Sequence, residues 1–313
     1  MIPESTLTAG LNNILDTTDF SNLGQRISGK VRESYRLDGG RRMLVTTDRI
    51  SAFDCILGTI PFKGQVLNQM AAFWFERTKA IAPNHVLDVP DPSIMVVREC
   101  EQLPLEFIVR GYITGVTKTS AWYNYEQGVR DFCGNRLPEG LRKDQKFERP
   151  LLTPTTKHEK HDRPISRDQA IAEGLIDAKT YDEAAAICFR LFDFGVRHAA
   201  QQGLILVDTK YEIGRHNGRL VVTDEIHTPD SSRYWFADTY AQLFAEGKDQ
   251  RKIDKEYVRE WLAARGFRGD GEPPPLPDEV RLEAARRYIQ AYEQITGLQF
   301  KTSKEPVMKR IVR

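Results

Sequence analysis

The sequence predicts a chain of mainly antiparallel sheets with flanking helices. Strand-like runs occupy residues 42–47, 94–99 and 105–112, the first opened by a Gly39-Gly40 turn as in a meander. Residues 204–226 read as a hairpin folded at Asn217-Gly218, the strongest short turn signal between two apolar runs. Helical patterns fill residues 66–79, 178–201, 255–265 and 278–295.

Composition narrows the class. The 313 residues suffice for two domains of ordinary size. Lys+Arg total 45 and Asp+Glu 44, a formal charge of +1, so no global field draws the chain to nucleic acid or an anionic membrane. Cys55, Cys100, Cys133 and Cys188 lie far apart with no CxxC, which implies neither a zinc site nor a disulfide framework. The beginning of the chain lacks a basic region followed by an apolar one, and no run of about 18 apolar residues occurs. A cytoplasmic globular protein is expected.

In chain order, a short helix precedes Ser28-Gly29-Lys30-Val31-Arg32-Glu33-Ser34-Tyr35. Gly29 falls where a strand turns, and Lys30 and Arg32 share a face if Lys30 begins the return strand. A glycine lets backbone approach a phosphate and the cations balance its charge, although most such tetrapeptides are surface turns. Neither GxxxxGK[ST] nor GxGxxG is present. Residues 47–54 crowd hydrogen-bonding groups at a strand end, where sites are commoner than in strand interiors. The stripe Leu67, Met70, Phe73 and Trp74 reads as core. Glu106 and Arg110 lie an even number apart on one strand, so a structural ion pair between them is the plain expectation.

The organisation changes after Gly111, dividing the chain into 1–112 and 113–313. Residues 113–165 are rich in Gly, Thr, Pro and charge, with one short helix at 121–127; loops this long are usually functional or disordered. Ser166-x-x-Gln169 is a capping box opening a helix that ends by Gly174. Helix 178–201 turns Tyr181, Cys188, Leu191 and Phe192 toward a core and stops at Gly203. His198 on it reads as packed or surface rather than as a ligand. The two C-terminal helices read as scaffolding.

The hairpin is the centre of interest. Period two puts Asp208, Lys210 and Glu212 on one face of its first strand, and Val207, Tyr211 and Ile213 on the other. A two-residue Asn217-Gly218 turn pairs Glu212 with Thr223 and sends Asp224 to the opposite face. A three-residue turn, His216 to Gly218, sets Lys210 opposite Asp224, and the four charged side chains then share a face. Two carboxylates and an ammonium there suit a phosphate chain with Mg²⁺, which usually takes one or two carboxylates plus phosphate oxygens. A solvated hairpin face is the blander alternative. A polar loop, His227 to Arg233, follows.

SGKVRESY, TTDRISAFD, IPFKGQVLNQ, LEFIVRGYITG, LLTPTTKHEKHD, LILVDTKYEIG and TDEIHTPDSSRYW resemble, in order, the blocks of the phosphoribosylaminoimidazole-succinocarboxamide synthase (SAICAR synthetase) family. The resemblance spans about residues 24–261 and is to the longer form, with a C-terminal helical extension. It implies an α+β, two-domain fold similar to ATP-grasp enzymes and distantly to protein kinases. Residues 1–112 then form a mainly-β nucleotide-binding domain, and 113–313 an α+β domain carrying the metal and substrate hairpin. The implied activity is an ATP-dependent, Mg²⁺-requiring ligation in purine biosynthesis. It joins L-aspartate to the carboxylate of carboxyaminoimidazole ribotide (CAIR), giving an amide, ADP and phosphate. The implied partners are these small molecules, with neither nucleic acid nor membrane, in a monomer or small homo-oligomer.

Matched residue by residue, the resemblance implies nucleotide contacts at Gly29, Lys30, Arg32, Glu106 and Lys210, and metal-binding carboxylates at Glu212 and Asp224. Lys210 and Asp208 are the candidate catalytic residues. Asp54, Arg110, Asp230 and Arg233 match positions around the ribotide, and Lys157 and Asp162 lie in a loop implicated in aspartate and nucleotide binding. Many members read RGYxxGSAW, whereas this chain inserts Val116, Thr117, Lys118 and Thr119 before Ser120; the resemblance implies substrate contact at Ser120 if it takes the family serine's place despite the insertion. A carboxylate reacts with an amine once phosphorylation makes its oxygen a leaving group, which needs positive charge and positioning more than a covalent nucleophile. His227 is a candidate base for the amine, with a locally bonded loop histidine as the alternative. A small-molecule kinase on the same Mg-ATP site and a nucleotide-binding regulatory protein are the rival classes.

Overall fold

Tight turns fold the first strands onto one another. The structure, a computed structural model, describes residues 2–20, 23–52, 55–157, 162–253, 256–267, 271–303, 305 and 309–310. Helix α1 (Glu4–Gly10) precedes β1 (Arg26–Ser28), β2 (Arg32–Leu37) and β3 (Arg41–Thr46). The Gly29 N–H donates to the Arg32 carbonyl at 2.8 Å between β1 and β2. Gly39 and Gly40, at φ 71° and 66°, take the left-handed turn into β3 that glycine adopts without steric penalty. A small hairpin, β4 (Arg49–Ala52) and β5 (Cys55–Thr59), leads to α2 (Lys63–Thr78), then β6 (Val86–Asp91) and β7 (Ile94–Arg98) complete an antiparallel sheet in the order β1-β2-β3-β7-β6.

The second sheet is built around β8 (Glu101–Ile113). Period two along β8 buries Leu103, Leu105, Phe107 and Val109 on one side and leaves Glu106 and Arg110 for the other. After α3 (Ala121–Glu126) and the short pair β9 (Asp131–Phe132) and β10 (Asn135–Arg136), the strands β11 (Gln145–Leu152) and β12 (Thr155–Thr156) return to β8. Helix α4 (Arg167–Ala172) starts at the expected Ser166–Gln169 capping box. Helix α5 (Ala178–Gln201) covers the sheet, and the hairpin strands β13 (Leu204–His216) and β14 (Arg219–Thr223) follow. The chain continues through β15 (Ser232–Phe236), α6 (Ala237–Ala245), β16 (Lys252–Ile253), α7 (Glu256–Ala263) and α8 (Asp278–Thr296). The order is β11-β8-β13-β15-β16, with β12 on β8 and β14 on β13. No helix among the described residues is long and apolar enough to cross a membrane.

The expected division at residue 112 cuts through this arrangement. The change of sheet falls near Cys100, and β8, assigned from sequence to the first unit, is central to the second sheet. One apolar core runs through both halves and includes Trp74 and Phe75 of α2, Phe107 of β8, Leu191 of α5, Tyr211 of β13 and Ile289 of α8. The polar loop expected over His227 to Arg233 ends two residues early, because Ser232 and Arg233 open β15, whose Tyr234 and Trp235 are buried.

The hairpin corrects two further expectations. Its turn has two residues, Asn217 and Gly218 at φ 49° and 74°, and Glu212 pairs with Thr223; the three-residue turn is not formed. A register shift between Leu206 and Asp208 against β15 also changes facing. Val207 packs with Tyr112 and Trp235, while Tyr211 and Ile213 join the main core.

Histidines knit that core together. His198 and His227 meet Trp74 edge-on, with ring centroids 4.8 and 4.6 Å away. His198 Nε2 bonds the Ile295 carbonyl (2.7 Å), as a packed residue, and His227 Nε2 bonds the Tyr211 hydroxyl (2.6 Å). Burial pushes the pKa of His85 and of His227 down to about 3. The unfolded chain binds their protons more readily, so this stability is present above the ordinary histidine pKa. It is lost as pH falls from there toward 3, by about 1.4 kcal/mol per pH unit for each histidine at full slope. In urea unfolding between about pH 7 and 4, His227→Gln should remove one histidine's share of that slope. An unchanged slope would mean that the buried imidazole is not its source.

Candidate active site

Lys210 of β13 is the point on which separate segments converge. Its ammonium lies 3.0 Å from Glu106 Oε1, 2.6 Å from Glu212 Oε1 and 3.6 Å from Asp224 Oδ2. Glu106 faces it from β8, opposite Glu212 in the β8–β13 register. Asp224 arrives by an unexpected route. A regular continuation of β14 would carry it to the other face, but Asp224 takes a left-handed backbone (φ 62°), which Asp tolerates better than most residues, and turns back toward Lys210. The two hairpin carboxylates therefore meet one ammonium without the three-residue turn.

Two more cations close the cluster. Arg32, first residue of β2, bonds Asp224 through Nη1 and lies 3.1 Å from Glu225 Oε2 through Nη2. Lys157, just after β12, bonds Glu212 Oε2. Burial alone would raise the pKa of Asp224, but Arg32, Lys210 and Lys157 outweigh it and hold the carboxyl well below the usual range. Burial would lower that of Lys210, and Glu212, Asp224 and Glu106 reverse the effect, keeping the ammonium charged. Glu106 goes the other way: burial, aided by Glu212 and Asp162, raises it despite Lys210. Glu212 and Asp224 also line a cleft of about 240 Å³, with Arg32, Arg42, His85 and Arg98 around it.

A second pocket, of about 300 Å³, is lined by Lys210 itself together with Arg110, Asp208, Asp230, Arg233 and Arg259 among others. Asp208 Oδ2 accepts from Arg110 Nη1 (2.9 Å) and Arg233 Nη1 (3.0 Å), so one carboxylate aligns two guanidinium groups. Arg110 also donates to Thr153 Oγ1 (2.7 Å) and the Thr119 carbonyl (3.0 Å). Asp230 accepts from Lys63 Nζ (3.0 Å) and the Tyr288 hydroxyl (2.8 Å). Lys210 lines the second pocket, and two of its carboxylate partners, Glu212 and Asp224, line the first; each pocket sets carboxylates against guanidinium groups.

The family model for SAICAR synthetase matches residues 25–274. The chain belongs to the SAICAR synthetase family. A phosphoribosylaminoimidazole-succinocarboxamide synthase from Legionella pneumophila (strain Lens) is 50% identical over 285 residues, 90% of this chain and 91% of that protein. Among solved structures, the SAICAR synthase of Saccharomyces cerevisiae complexed with SAICAR matches at a TM-score of 0.80 and 31% identity, covering 92% of this chain and 100% of that one. A type-2 SAICAR synthetase structure in complex with ADP shares the fold at a TM-score of 0.67 and 22% identity, over 89% of this chain and 100% of that one. The α+β architecture expected of the family is the one observed.

Against this family frame, the sequence-derived residues fall into three groups. Arg32, Glu106, Lys157, Lys210, Glu212 and Asp224 converge in the Lys210 cluster. Arg110, Asp208, Asp230 and Arg233 line the second pocket. The rest line neither of these two pockets or lie outside the described residues. Gly29 and exposed Lys30 form the turn before β2, so Lys30 does not share a strand face with Arg32. Asp162 is exposed. Ser120 is buried and bonds Thr117 Oγ1 (2.7 Å), because the inserted residues fold back onto it. Asp54 lies outside the described residues. The expected Glu106–Arg110 pair is not formed, since β13 supplies each with its own partner, Lys210 and Asp208. His227 is fully buried against Trp74 and Tyr211, bonded neither to its own loop nor open to an amine, which removes it as a base.

Glu225, Lys63 and Tyr288 are not among the residues that the sequence singles out. Glu225, beside Asp224, and Lys63 both stand inside family blocks, and for Lys63 a charged residue following Ile60-Pro61-Phe62 is the available signal. Tyr288 gave none, being one aromatic residue in a helical stripe. Among the described residues no three His, Cys, Asp or Glu side chains gather in a group able to hold a metal by themselves. Arg32→Met leaves Glu225 and Asp224 short of a cation and should lower stability in urea by about 2 kcal/mol. Unaltered stability would show that the Arg32 bridge is not a structural tie.

Proposed function

We propose that the chain joins L-aspartate to the carboxylate of CAIR, using ATP and releasing ADP and phosphate, through an acyl phosphate. The observation that carries this is the position of the Lys210 ammonium. Lys210 lines the pocket of Arg110 and Arg233 and pairs with Glu212 and Asp224, which line the neighbouring cleft, an arrangement suited to passing a phosphoryl group from one ligand to an anionic acceptor on the other side. Family membership and the SAICAR and ADP complexes of related structures support the same assignment. In this reading ATP takes the cleft beside Arg32 and Glu106, and CAIR takes the pocket of Arg110, Asp208, Asp230 and Arg233.

The donor set fits Mg²⁺. Glu212 and Asp224 supply two carboxylates at one ammonium, and Mg²⁺ is commonly held by one or two carboxylates together with substrate phosphates rather than by an all-protein cage. Bound there, the ion would neutralise charge on the phosphate chain. Lys210 holds positive charge beside the transferred group, and its raised pKa keeps it protonated at neutral pH. The forks of Arg110 and Arg233, aligned by Asp208, orient the phosphate and carboxylate of CAIR, which turns a bimolecular encounter into a positioned one. Lys157 and Asp162, at the edge of a loop, are assigned to aspartate.

Omission of ATP, CAIR or L-aspartate in turn should abolish amide formation; ADP release that does not depend on the amine would instead indicate a kinase. Asp224→Asn, which removes a charge at nearly constant shape, should cut turnover at least about a hundredfold while thermal unfolding stays cooperative. Full turnover would remove Asp224 from the site.

The acyl phosphate has its own test. An oxygen of the CAIR carboxylate must leave with the phosphate, so carboxylate-¹⁸O-labelled CAIR should yield labelled phosphate by mass analysis. Unlabelled phosphate at full amide yield would exclude that intermediate and leave Lys210 in need of another role.

A further inference from the structure

Asp230 presents a difficulty in a pocket for a ligand carrying a phosphate and a carboxylate. An uncompensated anion there repels what the arginines attract. The structure shows how this one is held. Lys63 donates to Oδ2 at 3.0 Å, and the Tyr288 hydroxyl donates to Oδ1 at 2.8 Å. Lys63 is fully buried, and its ammonium also lies 5.4 Å from the centroid of the Tyr288 ring. Asp230 lines the pocket, whereas neither of its two holders does. They grip the carboxylate from behind.

The grip is rigid on both sides. Lys63 is the first residue of α2, whose next residue, Gly64, sits so close to the Thr46 carbonyl that an added Cβ would meet it at 2.2 Å. Tyr288 belongs to α8, beyond the last residue matched by the family model. That helix is tied to the body by Arg281, which donates to the Thr59 carbonyl (2.9 Å) and hydroxyl (3.0 Å), and by the Ile295 carbonyl bonded to His198. Each carboxylate oxygen has a second lone pair, so fixing one on each oxygen sets the direction of the others.

We infer that Lys63 and Tyr288 are positioning residues for the ribotide, an inference that rests on the pocket taking CAIR. They fix the plane of Asp230 and offset its charge, so that Asp230 accepts from an N–H or O–H donor of the ribotide without repelling its anionic groups. The C-terminal helix, which reads from sequence as scaffolding, is thereby part of the substrate site.

Tyr288→Phe removes the hydroxyl and keeps the ring. It should raise KM for CAIR about tenfold, with KM for ATP and kcat changed by less than about twofold and Tm nearly unchanged. In an Asp230→Asn background the same substitution should add little, since the two act through one contact. Parallel rises in both KM values with a fall in Tm would make Tyr288 merely structural. No change in any constant would overturn the inference outright. Amide formation by the unsubstituted protein is the control: its absence would overturn the ligase assignment, while calorimetric CAIR binding by the Tyr288→Phe protein would still test the grip on Asp230.

Discussion

A half-hidden ammonium among three carboxylates is the contact on which the rest depends. Glu106 and Glu212 sit directly opposite one another on neighbouring strands, a like-charge pairing that disfavours the sheet. Lys210, on the same strand as Glu212, reaches both and relieves the repulsion. Asp224 and Arg32 extend the balance to the end of the hairpin and to the first sheet. The register of β8 against β13 and the electrostatics of the site are therefore one constraint. A slip of one residue would separate Lys210 from its partners and expose a row of buried charge.

The same constraint organises the two pockets. Because Lys210 lines one pocket and pairs with carboxylates of the other, the walls of both are tied to one strand. The cleft takes Glu212 and Asp224 from the hairpin region and Arg32, Arg42 and Arg98 from the first sheet, while the second pocket takes Arg110 and Arg233 from β8 and β15, spaced by Asp208. The apolar core that runs from α2 through β8 and β13 to α8 keeps these walls in fixed relation.

Much of this was legible in the chain. The bounds of α5 follow from its apolar spacing and from Gly203, and the capping box marks α4, because both are local signals. The charged face of β13 follows from period two. What was not legible is non-local. The facing of Val207 depends on a register shift against β15, a strand that begins inside the last two residues of a polar run. The partners of Glu106 and Arg110 come from a strand about a hundred residues away, so proximity along β8 suggested the wrong pair. Tyr288 reaches Asp230 across 58 positions with no local mark.

Asp224 carries a consequence for how related sequences should be compared. Its carboxylate answers to charge, while its positive φ answers to backbone sterics. Asparagine and glycine satisfy the second demand and fail the first; glutamate satisfies the first and strains the second. Two unrelated filters thus act on a single codon, and invariance at that position would overstate how much of it is due to chemistry alone.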